Sequence, residues 1–136
     1  MKKNFTLLTL LALVGAGIGY KFYNQPHEDI RTVKTEVVIS AKELFAAYEA
    51  NETTANSKFL DKKIEVQGKV VAIEKDAEGK VGITLEAGGM MGGVICKLDH
   101  LTDHSRSEFT IGEDVVFKGI CIGMLMDVVL ERCVEL

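Results

Sequence analysis

Hydrophobic residues follow three different patterns along this chain, and each pattern predicts a different kind of element. Phe5 to Tyr20 is an unbroken uncharged run, Phe-Thr-Leu-Leu-Thr-Leu-Leu-Ala-Leu-Val-Gly-Ala-Gly-Ile-Gly-Tyr. As a helix it extends about 24 Å, slightly short of a hydrocarbon core about 30 Å thick. From Asn24 to Ile39 polar residues dominate around the only proline, Pro26, and this stretch reads as a linker. Leu44, Phe45, Ala47, Tyr48 and Ala55 then recur at helical spacing, predicting a helix over about 41–56. Ser40 and Glu43 form a capping box at its start, each able to satisfy the other's backbone N–H.

Beyond Phe59 the period falls to two. Ile64, Val66, Gly68 and Val70 alternate with Glu65, Gln67 and Lys69, after which the apolar phase slips to Val71 and Ile73. A glycine followed by a phase slip predicts a bent, bulged strand over about 62–75. Asp76-Ala-Glu-Gly79 supplies a turn, and further alternating runs predict strands over about 80–87, 93–98, 114–122 and 126–135. Five short strands, the first strongly bent, with a polar connector between the third and fourth, match a five-stranded OB-type barrel. The fold class expected is all-β with one N-terminal helix, the barrel being preceded by a single transmembrane helix. Residues 1–23 read as a signal-anchor, 24–39 as linker and 40–136 as the OB domain.

The apolar run suits either a cleaved signal peptide or a retained signal-anchor. Tyr20, Phe22 and Tyr23 cluster where the run meets water, as an interfacial belt does, and no A-x-A triplet follows. No cysteine follows it either, which excludes a lipoprotein-type acyl anchor. The retained anchor is therefore preferred. Lys2 and Lys3 ahead of the first apolar segment favour an amino terminus inside and a domain outside the cytoplasm.

With 136 residues the chain has room for one domain. From Ser40 onward 17 acidic side chains face 11 basic ones, a net charge of −6. Such a domain lacks the basic footprint of a nucleic-acid binder. The outward positions of the second and third strands, Lys80, Gly82, Thr84, Glu86, Ile95 and Lys97, also lack the aromatic platforms on which OB folds stack bases.

Ser40-Ala-Lys-Glu43-Leu-Phe45…Tyr48-Glu-Ala-Asn51 and Ile64-Glu-Val-Gln-Gly68-Lys-Val70 resemble the tRNA-anticodon-like OB-fold family of small bacterial membrane-anchored proteins. Gly119-Ile-Cys121-Ile-Gly123…Asp127-Val-Val-Leu130…Cys133 resembles that family's C-terminal pattern, and Tyr23-Asn-Gln-Pro26-His27 belongs to the likeness. The resemblance implies a fold and topology. It carries no catalytic residue onto this sequence.

Residues able to carry chemistry are few. Gly88–Gly93 lacks the helix start and Lys-Ser/Thr pair of a phosphate loop. His100 and His104 have i, i+4 spacing but sit in a solvated polar connector. No catalytic constellation, metal site or cofactor is expected. Met90, Met91, Met124 and Met126 fall in two loops that OB topology places at one barrel end, with Cys121 nearby. Methionine makes an adaptable partner surface, and thioether with thiolate suits Cu(I), but the same side chains also suit a covered barrel end. Met90, Met91, Met124, Leu125 and Met126 form the candidate patch for a protein partner or small ligand.

The expected function is a non-enzymatic, membrane-tethered OB binding module outside the cytoplasm; the alternative is a nucleic-acid-binding OB domain facing the cytoplasm. Cys121 and Cys133 stand too far apart across the last hairpin to bond. Strand order favours Cys96 with Cys133, whereas alternation sends Cys133 outward beside Glu131 and Glu135.

Overall fold

The computed structural model describes residues 2–89 and 92–136. Helix α1 spans Lys2–Tyr23, and a single 3₁₀ turn covers Ile30–Thr32. Strand β1 (Val37–Ser40) leads into helices α2 (Ala41–Ala50) and α3 (Glu52–Phe59). Strands β2 (Lys63–Lys75), β3 (Val81–Glu86), β4 (Gly93–Leu98), β5 (Asp114–Met124) and β6 (Val128–Glu135) follow.

The capping box forms as expected. Ser40 Oγ accepts from the Glu43 N–H at 3.2 Å, and Glu43 Oε2 accepts from the Ser40 N–H at 3.3 Å. The expected single helix over 41–56 is broken at Asn51, whose backbone is extended and whose side chain accepts from the Thr54 N–H at 3.0 Å. An asparagine bonding its own backbone ends one helix and starts the next. Leu44, Phe45 and Tyr48 of α2 and Ala55 and Phe59 of α3 are buried in the core.

Strands β2 to β6 close in the order β2-β3-β4-β6-β5 and back to β2, which is the OB arrangement. Closure depends on β2 serving two partners: Lys63–Lys69 pairs with β5, and Val70–Lys75 pairs with β3. The expected bulge lies between Val70 and Ala72. Gly68 lies just before it. A β-carbon there would stand 3.0 Å from Leu85 Cβ and 3.1 Å from Ala41 Cβ, so glycine lets the start of α2 settle closely on the bend. The phase slip does not bury Val71 and Ile73, which remain 43% and 37% exposed.

The stretch read as a linker is docked on the barrel for most of its length. Ile30 is buried, and β1 adds a sixth strand parallel to β2, from Val37 opposite Ile64 to Ser40 opposite Gln67. The buried Lys118 ammonium donates to the Val33 carbonyl, and the Glu36 N–H donates to the Lys63 carbonyl at 2.9 Å. These backbone groups find barrel partners that a free tether would leave to water.

A second departure from alternation lies in β6. Arg132 adopts φ 55°, the left-handed region, where a non-glycine residue is uncommon. Cys96 faces Leu130 and Leu98 faces Cys133, so β6 inserts one extra residue. This bulge turns Cys133 inward, and it is fully buried rather than outward as alternation predicts.

Candidate functional site

The β5–β6 hairpin carries the candidate patch. Its tip stands clear of the barrel, with Leu125 94% and Met126 76% exposed. The tip is ordered from below. Asp127 Oδ1 accepts from the Gly93 N–H at 2.6 Å, tying this hairpin to the glycine loop between β3 and β4. The two loops thus share one barrel end, as OB topology requires. Met90 and Met91 lie outside the described residues.

A cavity of about 320 Å³ opens beside the tip, between it and helix α3. Leu60, Ile122, Met124, Leu125 and Val129 supply its apolar walls, and Glu52 and Asn56 its polar ones. Leu60 and Ile122 are also exposed. Asn56 Oδ1 is buried with no hydrogen-bond partner among the described residues. Met124 and Leu125 therefore line a concavity, while Met126 stands on the exposed side of the turn. Cys121 does not join this rim. It is fully buried, and its Sγ lies 3.4 Å from the Tyr48 hydroxyl inside the barrel. Burial, then contact with Cys121, pushes the Tyr48 phenol above its ordinary range.

The outer face of β3 and β4 is where OB barrels usually hold strands of nucleic acid. Gly82 faces Lys97 and Thr84 faces Ile95 across the ladder, so these side chains share that face. Gly82, Ile95 and Lys97 border a shallow cavity of about 400 Å³ with Lys75, Asp76, Lys80 and Glu131. The lysines are matched by acids: Lys80 pairs with Glu78 at 2.7 Å, and Lys97 with Glu131 at 3.7 Å. Among the described residues no aromatic side chain lies on this face.

One cluster was not anticipated from the sequence. Asp99, 3% exposed, is the hub of the connector between β4 and β5. Its carboxylate accepts from the Leu101 N–H at 3.1 Å, from the Thr102 hydroxyl at 2.9 Å and from the His27 ring. Arg132 stands 3.9 Å from the same carboxylate, and its Nη2 donates to the Glu28 carbonyl at 2.5 Å. Burial alone would raise the Asp99 pKa; the hydrogen bonds from His27, Leu101 and Thr102 overcome it and hold the carboxyl below its ordinary value. The bonds clamp the chain immediately after α1 onto the barrel. Pro26-His27 could have hinted at this, but nothing local to Asp99 or Arg132 marks them as its partners.

The two histidines at i, i+4 do not share a helix face, because their segment forms turns and loop. His104 Nε2 lies 2.6 Å from the Asp99 carbonyl oxygen. Among the described residues no group of three or more His, Cys, Asp or Glu side chains is placed to hold a metal.

The tRNA_anti-like family profile matches residues 1–135, and the chain belongs to that family. No curated protein matches it. Among solved structures it is similar to a crystal structure from Klebsiella pneumoniae subsp. pneumoniae MGH 78578 of a protein named a "putative nucleic acid-binding lipoprotein". The two share 15% sequence identity with a TM-score of 0.58, over 82% of this chain and 99% of that one. At that identity the likeness shows the fold alone. The first cysteine in this sequence is Cys96.

Proposed function

We propose that this tRNA_anti-like chain is a non-enzymatic OB binding module, held at a membrane by α1 and displayed outside the cytoplasm. It takes a protein or small ligand at the rim formed by Met124, Leu125 and Met126. The observation carrying this reading is the rim itself: exposed Leu60, Ile122 and Leu125 gather with Met124 around one cavity whose polar side is Glu52 and Asn56, and Met126 stands exposed on the other side of the same turn. Convergent apolar walls with a few placed polar groups are the usual make-up of a recognition site. The membrane part of the reading is supported by Phe5–Tyr23, whose mean hydropathy is 1.6 and of which nothing is buried.

The test compares capture by the full chain from intact membranes with capture by two charge variants. Leu125→Asp should lose the bound species and Lys97→Glu should keep it. Leu125 is almost wholly exposed, so its replacement should change stability by less than about 0.5 kcal/mol. Equal capture by all three proteins would reject the rim.

The alternative is a nucleic-acid binder facing the cytoplasm, favoured by Lys75, Lys80 and Lys97 around the β3–β4 cavity. Against it stand the acidic partners of two of those lysines and the missing stacking surface, which contributes about 1–3 kcal/mol per base where it exists. Fluorescence anisotropy with mixed-sequence oligonucleotides at near-physiological salt separates the readings. No saturable binding is expected; micromolar binding, lost in Lys97→Glu, would establish the alternative.

A further inference from the structure

Cys96 and Cys133 are free thiols in this structure, and we infer that they become a disulfide between β4 and β6 when the chain folds under oxidising conditions. The inference rests on the outward-facing reading above only for where the bond forms, not for whether the two sulfurs can meet.

Simple alternation separates these residues, because it sends Cys133 outward with Glu131 and Glu135. The bulge at Arg132 removes that objection. Between the pairs Cys96–Leu130 and Leu98–Cys133, β4 advances two residues while β6 advances three. The extra residue at φ 55° rotates Cys133 to the inner face, where Cys96 already points, and both are fully buried. Cys133 has a seat there because its neighbour on β5 is a glycine. A β-carbon on Gly119 would lie 2.5 Å from Cys133 Sγ. From this seat Cys133 Sγ donates to the Leu130 carbonyl at 3.4 Å, and Leu130 is the residue opposite Cys96. Burial, then the adjacent Cys96 thiol, drives the Cys133 pKa well above its ordinary range. Cys121 is the competitor, but its sulfur is turned to the Tyr48 hydroxyl.

A protonated thiol sealed in a closed barrel is a poor nucleophile, so the bond forms before the barrel closes. One cysteine thiolate attacks an external disulfide, such as glutathione disulfide or an oxidised dithiol protein, giving a mixed disulfide and releasing one thiol. The second cysteine then displaces the other half. In total two cysteine thiols are oxidised to one disulfide, and the external disulfide is reduced to two thiols, which take up both protons.

The test uses the full chain in detergent, reduced and unfolded, then refolded in a glutathione redox buffer, capped and digested with trypsin. Cleavage after Lys80, Lys97, Lys118 and Arg132 puts the three cysteines in separate peptides. The expected product is residues 81–97 cross-linked to residues 133–136, with Cys121 the only capped cysteine. Cys121→Ser should retain the link and Cys133→Ser should abolish it. Three capped cysteines in the refolded wild type, or a link through Cys121, would overturn the pair. A second arm caps the chain directly in its own membranes. The same link there supports the outward-facing domain. Three capped thiols there, with the link still forming on refolding, would reject that orientation and leave the pair standing.

Discussion

Helices α1 and α2 are both rich in apolar residues, yet one is wholly exposed and the other builds the core. In α2, Ala41, Leu44, Phe45 and Tyr48 are buried while Lys42, Glu43 and Glu49 face water. In α1 the apolar side chains point in every direction; Leu7, Leu8, Leu10, Leu11 and Leu13 are each more than 60% exposed. The difference teaches that one-sidedness, not apolar content, seats a helix on a barrel. A helix without a polar face has nothing to offer water, and a bilayer is the environment that suits all its sides. Between the two lies the strap from His27 to Ser40, docked on the barrel by the His27–Asp99 contact and by β1.

The largest effect should come from charging α1. Leu11→Arg with Val14→Arg should cost about 5–7 kcal/mol of insertion, at roughly 2.5–3.5 kcal/mol for each arginine near a helix centre. Alkaline carbonate washing should release this variant while its urea midpoint for barrel unfolding stays that of wild type. A shift in that midpoint would mean that α1 packs on the barrel after all. The converse change, Phe45→Ala, should destabilise the barrel by about 3–5 kcal/mol and leave the chain in the membrane fraction.

Releasing the strap should have a smaller effect. Asp99→Ala removes the acceptor of three hydrogen bonds and should cost about 1–3 kcal/mol, read by urea unfolding and by faster proteolysis near Arg31. Acid should mimic it. The Asp99 carboxyl titrates below its ordinary value of 3.8, so the folded state prefers it ionised. Its contribution is complete above about pH 4 and disappears as pH falls through the lowered folded value. Protection of the strap should therefore fall in that window in wild type and fall less in Asp99→Ala, where Asp29 and Glu36, also held below their ordinary values, still titrate. The smallest effect, about 1 kcal/mol, is expected from Ser40→Ala, which strips the α2 cap. Circular dichroism melts should show it, with membrane attachment untouched.

Most of the fold was legible because its signals are local. The Ser40–Glu43 box, the switch from helical to twofold period after Phe59 and the irregularity after Gly68 all lie within a few residues of what they determine. The break at Asn51 was missed, although asparagine at a helix boundary is a local signal of the same kind. The rim was half legible. Its residues Met124, Leu125 and Met126 stood out as apolar positions in a turn, but its wall from Asn56 and Leu60 comes from helix α3 and the residue that caps it, more than sixty residues away in sequence. The docked strap was misread because a short segment with scattered apolar residues looks alike whether or not a sheet edge is waiting for it.

The chain's residues by themselves therefore determined a uniformly apolar helix, an amphipathic helix with its cap and five alternating strands in OB order. Each of these follows from how neighbouring side chains partition between water and an apolar phase. Only the tertiary structure decided that Ile30 is core, that Asp99 receives His27, and that Cys133 turns inward beside Cys96. Those outcomes depend on contacts across 72 residues for His27–Asp99 and on a single left-handed residue, Arg132. No local preference selects either: arginine rarely takes φ 55°, and it does so here because closing β6 against both β4 and β5 leaves room for one residue too many.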